Sequence, residues 1–251
     1  MGRQLALMAC AIQFLTRLPV PPLKGFETDW LTRSARYFPL VGQVVGALGA
    51  LVLLAASQVW SPWIAALLAM GSGLLLTGAL HEDGLADSAD GLFGGRTREA
   101  RVAIMKDSRI GAFGVLALGM VLALKVAGLA ALAPTAAVVA LIGAHGFGRA
   151  AAAVTMWATP YAPAGRPTRW TPTTAGVQGW EAAVAVGLSL WPLALMGPRA
   201  AIAAVLGGAL ASATGARLAK RRLGGHTGDV LGAVEQLGEV GFLLGACAAW
   251  P

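Results

Sequence analysis

Six of the chain's twelve acidic residues fall in one 26-residue window: Glu82, Asp83, Asp87, Asp90, Glu99 and Asp107. If residues 81–91 are helical, Asp83, Asp87 and Asp90 stand at i, i+4 and i+7. At about 100° per residue these three lie within about 60° of one another on one face. Carboxylates stacked in this way repel, and beside a bilayer they are costly unless a cation sits among them. Mg²⁺ is the economical answer, because it takes hard oxygen ligands from few carboxylates and leaves positions for water and phosphate. The plainer reading is a solvated acidic loop, but Gly84, Leu85, Ala86 and Ala89 interleave the acids and make a poor solvated face.

The cations that follow divide into two groups. Arg96, Arg98 and Arg101 read as topology markers. Lys106-Asp107-Ser108-Arg109-Ile110-Gly111 instead places two cations, an acid and a hydroxyl at the start of an apolar segment, where free backbone N–H groups favour an anion. Lys106 and Arg109 are therefore candidate phosphate ligands. A second window, Gly224-Gly225-His226-Thr227-Gly228-Asp229, is a glycine-rich turn that lets amides approach a phosphate, with Asp229 as a further metal ligand. By itself it also reads as a helix N-cap, and His226 as a bystander. Glu235 and Glu239 follow one helical turn apart and are expected to face the protein interior or the headgroup zone. Arg149, in an apolar segment, needs an anionic partner: one of these acids, a substrate phosphate, or water reached by snorkelling.

The elements that must position these groups are membrane helices. Of 251 residues, 57% are apolar and 12% charged, and the mean hydropathy is +0.68. A soluble domain carries about 25% charged residues. Residues 37–81 contain no Asp, Glu, Lys or Arg. That excludes an ordinary soluble enzyme, a disordered tail and, despite a net charge of +7, a nucleic-acid-binding domain. An all-α, polytopic helical bundle of about seven transmembrane helices is expected, forming one catalytic domain over 1–251. Two spans fit within 37–81, and others near 111–133, 135–157, 181–197, 200–217 and 230–250, after a short apolar helix at 4–18. The first apolar stretch runs into Arg17 and Pro19-Val20-Pro21-Pro22 without a small-residue cleavage site, so it does not read as a signal peptide. Sixteen of nineteen Lys and Arg residues fall in 1–36, 81–110, 158–180 and 217–229, and Arg199 lies on the other side. The asymmetry puts the N-terminus and both acidic windows at the cytoplasmic face, with Lys125 and Arg149 inside spans. Cys10 and Cys247 have neither zinc-site nor disulfide-framework spacing.

Clustered aspartates with flanking cations at a membrane face suit transfer of a phosphoryl-linked group to an alcohol. Residue types alone do not name the substrate. Leu80-His81-Glu82-Asp83-Gly84-Leu85-Ala86-Asp87-Ser88-Ala89-Asp90-Gly91, with Ile104-Met105-Lys106-Asp107-Ser108-Arg109-Ile110-Gly111-Ala112-Phe113-Gly114, resembles the cobalamin synthase family of adenosylcobinamide-GDP ribazoletransferases. The likeness extends to Phe14-Leu15-Thr16-Arg17-Leu18-Pro19, Arg36-Tyr37-Phe38-Pro39-Leu40-Val41-Gly42 and Thr227-Gly228-Asp229-Val230-Leu231-Gly232-Ala233, in the expected order along nearly the whole chain. His226 departs from the family pattern, which carries an apolar residue there.

The resemblance implies a multi-pass inner-membrane, Mg²⁺-dependent transferase of late cobalamin biosynthesis. Its substrates would be adenosylcobinamide-GDP and α-ribazole or α-ribazole 5′-phosphate, with GMP released, and a homo-oligomer is compatible with it. Carried over residue by residue, Glu82, Asp83, Asp87 and Asp90 would form the metal and pyrophosphate site. Lys106, Asp107 and Arg109 would meet phosphate or complete that site, and Asp87 or Asp90 would act as general base. From the residues themselves, Arg149 is a further candidate phosphate ligand, and Thr227, Asp229, Glu235 and Glu239 a second acidic, glycine-rich site. Two rivals remain distinguishable. A CDP-alcohol phosphotransferase-like enzyme requires an Ala-Arg pair after Asp-Gly, whereas here Asp83-Gly84 leads directly to Asp87 and Asp90. A cation-coupled transporter requires acids near the midplane of several spans.

Overall fold

A computed structural model describes residues 2–21, 27, 29–162 and 176–250. Lys24, Arg166 and Arg169, counted above among the topology cations, lie outside the described residues. The described residues form helices with no strand; the one β-type contact is an isolated parallel bridge between Tyr161 and His226.

Helix α1 (Arg3–Leu15) and the short α2 (Trp30–Ser34) precede α3 (Phe38–Ser57), which has Pro39 in its first turn, where a missing N–H costs nothing. Ser61 and Pro62 open α4 (Pro62–Thr77). At its end Gly78 and Ala79 both take left-handed conformations, with φ of 69° and 58°. The two residues turn the chain by 90° into α5 (Leu80–Gly94), which carries the aspartates. Glycine at 78 also lets the Arg17 guanidinium lie directly against the turn, where a Cβ would collide with it. The Arg17 N–H donates to the Leu76 carbonyl at 2.7 Å and fastens the turn further.

The chain continues through α6 (Arg98–Met105), α7 (Ala112–Ala131), α8 (Pro134–Ala158), α9 (Gly179–Ser189), α10 (Pro198–Leu223) and α11 (Gly228–Ala249). Among the described residues, five helices are long and apolar enough to cross a membrane, six when the bent α4–α5 pair counts as one span. The expected span at 181–197 is instead the eleven-residue α9 and a 3-10 turn from Trp191 to Leu195. Pro192 removes a donor there and ends the regular helix. Gln43 of α3 bridges the break, donating to the Leu188 carbonyl and accepting from the Trp191 indole, both at 2.9 Å.

The main core lies where α3, α4, α7, α8, α10 and α11 meet, around Leu53, Met70, Leu129, Leu141 and Phe242. Small residues bring these helices together. In α10 and α11, Gly207 and Gly241 face each other so closely that a Cβ on either would collide with the other's carbonyl oxygen. In a bilayer, where lipid is as apolar as leucine, such close backbone packing is a principal source of helix association.

Candidate active site

Helix α5 meets the N-terminal part of α11 at a glycine crossing. A Cβ at Gly84 would lie 2.8 Å from the Asp229 carbonyl oxygen, and one at Gly232 would lie 3.0 Å from the His81 carbonyl oxygen. This approach sets Asp229 beside Asp83 and Asp87, and the carboxylates of Asp83, Asp229 and Asp90 all act electrostatically on Asp87. Asp83 is exposed, and Asp87 and Asp229 are half-buried. Among the described residues, none of the three is ion-paired to a Lys or Arg. An acidic face without a protein cation fits a divalent ion bound at this spot.

Asp90 does something else. Its two oxygens accept from the backbone N–H groups of Gly111 and Gly114 at 2.7 and 2.9 Å, capping the start of α7. A Cβ at either glycine would collide with this carboxylate. With both oxygens holding backbone N–H groups, Asp90 anchors the start of α7 to α5, a positioning part that the aspartate spacing does not show. The periodicity correctly places it on the aspartate face; the helix N-terminus facing it is invisible in the local sequence.

Glu82 reaches into the bundle. It is buried, and its Oε1 accepts from Gln236 Nε2 at 2.9 Å, inside the bundle. Gln236 in turn accepts from Lys125 Nζ at 2.9 Å, and Lys125 pairs with Glu239. Arg149 Nη1 lies 2.7 Å from Glu235 and 2.9 Å from Glu239, and His145 Nδ1 lies 2.6 Å from Glu239. Arg149, 1% exposed, is thus an internal counter-ion and not a phosphate ligand. Glu235 and Glu239 belong to this buried network and not to a second substrate site. Thr227 is likewise structural, its hydroxyl accepting from the Val230 N–H at 3.2 Å as the N-cap of α11. Of the second window only Asp229 joins the aspartate face.

His145, Glu235 and Glu239 are the group among the described residues whose ligand atoms all lie within 4.8 Å of one another. Arg149 and Lys125 already neutralise those carboxylates, so no cation is required there. Asp83, Asp87 and Asp229 do not close to that spacing, so in this arrangement the three do not all reach one ion directly; Mg²⁺ needs only one or two carboxylates and keeps several waters. Gln236, Lys125 and His145 had no part in the sequence-derived site. The signal for the network was present, since Lys125 and Arg149 inside apolar segments demand buried acids.

The cations beyond α5 also divide. Arg98 and Arg101 donate to the Leu223 and Arg222 carbonyls at 2.9 Å, satisfying the C-terminal end of α10. Lys106 and Arg109 stay exposed at the loop before α7. Asp107 accepts from the Arg109 side chain and backbone N–H, which holds its carboxyl down at about 2. Asp107 therefore orients Arg109 and does not itself face an anion. Beside the glycine turn, His226 packs edge-on to Tyr161, and its Nδ1 lies 2.9 Å from the Thr159 hydroxyl. Burial pushes its imidazole down to about 4, with the Thr159 contact opposing. Gly225 is required here, because a Cβ would strike the Pro160 carbonyl.

Fold and site together define a polytopic, all-helical membrane protein with a carboxylate face built by α5 and α11. Residues 7–247 match the cobalamin-5-phosphate synthase family, and the chain belongs to it. It is 41% identical over 248 residues to the adenosylcobinamide-GDP ribazoletransferase of Leptothrix cholodnii, covering 95% of this chain and 94% of that one. Proteins of the same name from Ralstonia pickettii and Ralstonia nicotianae are 43% and 44% identical, covering 95% and 96% of this chain and 93% of each relative. No solved structure matches. This membership leaves the phosphotransferase and transporter alternatives without support.

Proposed function

We propose that this chain joins adenosylcobinamide-GDP to α-ribazole, or to α-ribazole 5′-phosphate, and releases GMP. The relatives' shared name supports the reaction. The observation that carries the site assignment is the Gly84–Asp229 crossing, which brings Asp83, Asp87 and Asp229 onto an acidic face with no ion-paired cation among the described residues. These three residues would hold Mg²⁺. When bound, the ion supplies charge neutralisation for a pyrophosphate and its leaving group.

Lys106 and Arg109 would meet the outer phosphate oxygens, with Asp107 keeping the Arg109 guanidinium in place. A ribose hydroxyl of the ribazole would attack the cobinamide-side phosphorus. A new P–O bond forms, the bridging P–O bond to GMP breaks, and GMP leaves with the bridging oxygen. Asp87 would take the hydroxyl proton, since both Asp90 oxygens already hold backbone N–H groups. The Lys and Arg asymmetry supports an inner-membrane enzyme with this face in the cytoplasm.

The test is GMP release by the purified full chain from adenosylcobinamide-GDP and α-ribazole, with and without a chelator. Turnover that requires added Mg²⁺ is expected. No turnover under conditions that support a characterised relative would overturn the assignment.

A further inference from the structure

A groove of about 490 Å³ runs between α8, α9 and α10, away from the aspartates. Its wall is apolar along its length, formed by Phe147 and Val154 of α8, Val186 and Leu190 at the end of α9, and Val205 and Ala209 of α10. On α10 it extends from Val205 to Lys220. Fifteen residues at 1.5 Å each make this about 22 Å, the depth of one leaflet with its headgroups when the whole bilayer is about 40–45 Å. The flank of α10 beside it exposes Ile202, Leu206 and Leu210 by 61–69%, as a lipid-facing helix would.

The polar atoms on the wall are already satisfied. Thr155, Thr159, Ser189 and Ser212 each donate to a carbonyl of their own helix, at 2.7–2.8 Å. A nucleotide or sugar would find no hydroxyl donor free along this stretch, whereas a hydrocarbon chain needs none. The mouth differs. Arg217 and Lys220 line it, are exposed, and make no hydrogen bond or ion pair with any described residue. The segment from Thr159 to Trp180 contains no Asp or Glu, and Glu181 is held by Arg33 and Arg36. Two free cations above a leaflet-deep apolar groove complement an anionic headgroup on an acyl chain.

We propose that this groove binds one anionic phospholipid, with its phosphate at Arg217 and Lys220 and an acyl chain along α10. The proposal is independent of the transferase reading. The test is native mass spectrometry of the full chain in detergent, equilibrated with equal amounts of dioleoyl phosphatidylglycerol and dioleoyl phosphatidylcholine and without substrate. One phosphatidylglycerol retained per chain, in preference to phosphatidylcholine, is expected. Arg217→Ala with Lys220→Ala should reduce that preference by about thirtyfold, the increment for two cations at a lipid surface. Ala209→Trp, at an exposed position that tolerates bulk, should abolish retention of both lipids. Equal retention of the two lipids by the unmodified chain would overturn the proposal. So would unchanged retention in Ala209→Trp, which would place the lipid elsewhere. Displacement of phosphatidylglycerol by α-ribazole 5′-phosphate would also overturn it, assigning the groove to a substrate. Turnover is measured separately on the same samples, so failure of lipid retention is distinguishable from failure of the transferase assignment.

Discussion

Gly84 and Asp229 touch through their backbones: a Cβ on the glycine would sit 2.8 Å from the aspartate carbonyl oxygen and 3.0 Å from its Cα. The residues are far apart in the chain, yet this contact fixes how near the α5 carboxylates come to the third one on α11. Neither partner can yield easily, because both opposing atoms are backbone.

Gly84→Ala should therefore separate α5 from the start of α11. Overpacking of this kind costs about 1–3 kcal/mol. GMP release should fall by more than tenfold while the protein still extracts as a folded species. Activity equal to the parent's would show that the crossing does not set the site.

Asp87→Asn and Asp229→Asn should each reduce turnover at least a hundredfold with little change in melting temperature, because neither carboxylate is ion-paired within the described structure. Asp90→Asn should behave in the reverse sense. It removes one of the two acceptors at the α7 N-terminus, a loss of about 1–2 kcal/mol visible as a lower melting temperature, with measurable turnover retained. Comparing melting curves with GMP release across the three variants separates the roles.

Arg149→Leu should leave Glu235 and Glu239 as poorly compensated charges within the bundle. Breaking one side of a buried pair costs about 3–5 kcal/mol, enough to prevent accumulation in the membrane. A paired change, Arg149→Leu with Glu235→Gln, should recover part of that level. A well-folded, abundant single variant would refute the counter-ion role.

His226 gives a pH signature. Its imidazole is held at about 4 in the folded chain against about 6.5 when unfolded. Above pH 6.5 both states are neutral and the histidine contributes no pH dependence. As pH falls from about 6.5 to about 4, only the unfolded state gains the proton, so stability declines through that window and levels off below it. His226→Phe should flatten this part of the melting-temperature profile relative to the parent. Identical slopes would mean that the histidine is hydrated when folded.

Lys106→Ala should raise KM for adenosylcobinamide-GDP several-fold without lowering the melting temperature, since this exposed side chain makes no contact that supports the fold. A fall in kcat at unchanged KM would remove it from substrate binding.

Much of the protein was legible in order along the chain. Long runs without charge require membrane helices, because a bilayer satisfies no exposed backbone polar group and tolerates few ions. The spacing of Asp83, Asp87 and Asp90 required a shared helix face, and α5 provides it. Two charged residues inside apolar spans, Lys125 and Arg149, required buried partners. The span expected at 181–197 was overread because hydropathy does not register that Pro192 breaks a segment already near the minimum length.

What periodicity cannot specify is which polar group lies opposite which. Asp90 and Asp87 differ in neither residue type nor face, yet Asp90 meets two N–H groups of α7 and Asp87 meets other carboxylates. Glu235 and Asp229 share one helix, but Glu235 turns into the bundle toward Arg149 while Asp229 remains at the α5 crossing. The sequence by itself determined the solvent for these helices and the stock of charges that could do chemistry. Only the tertiary structure decided which charges neutralise one another and which are left for a ligand, because that depends on glycine-mediated contacts between helices distant in the chain.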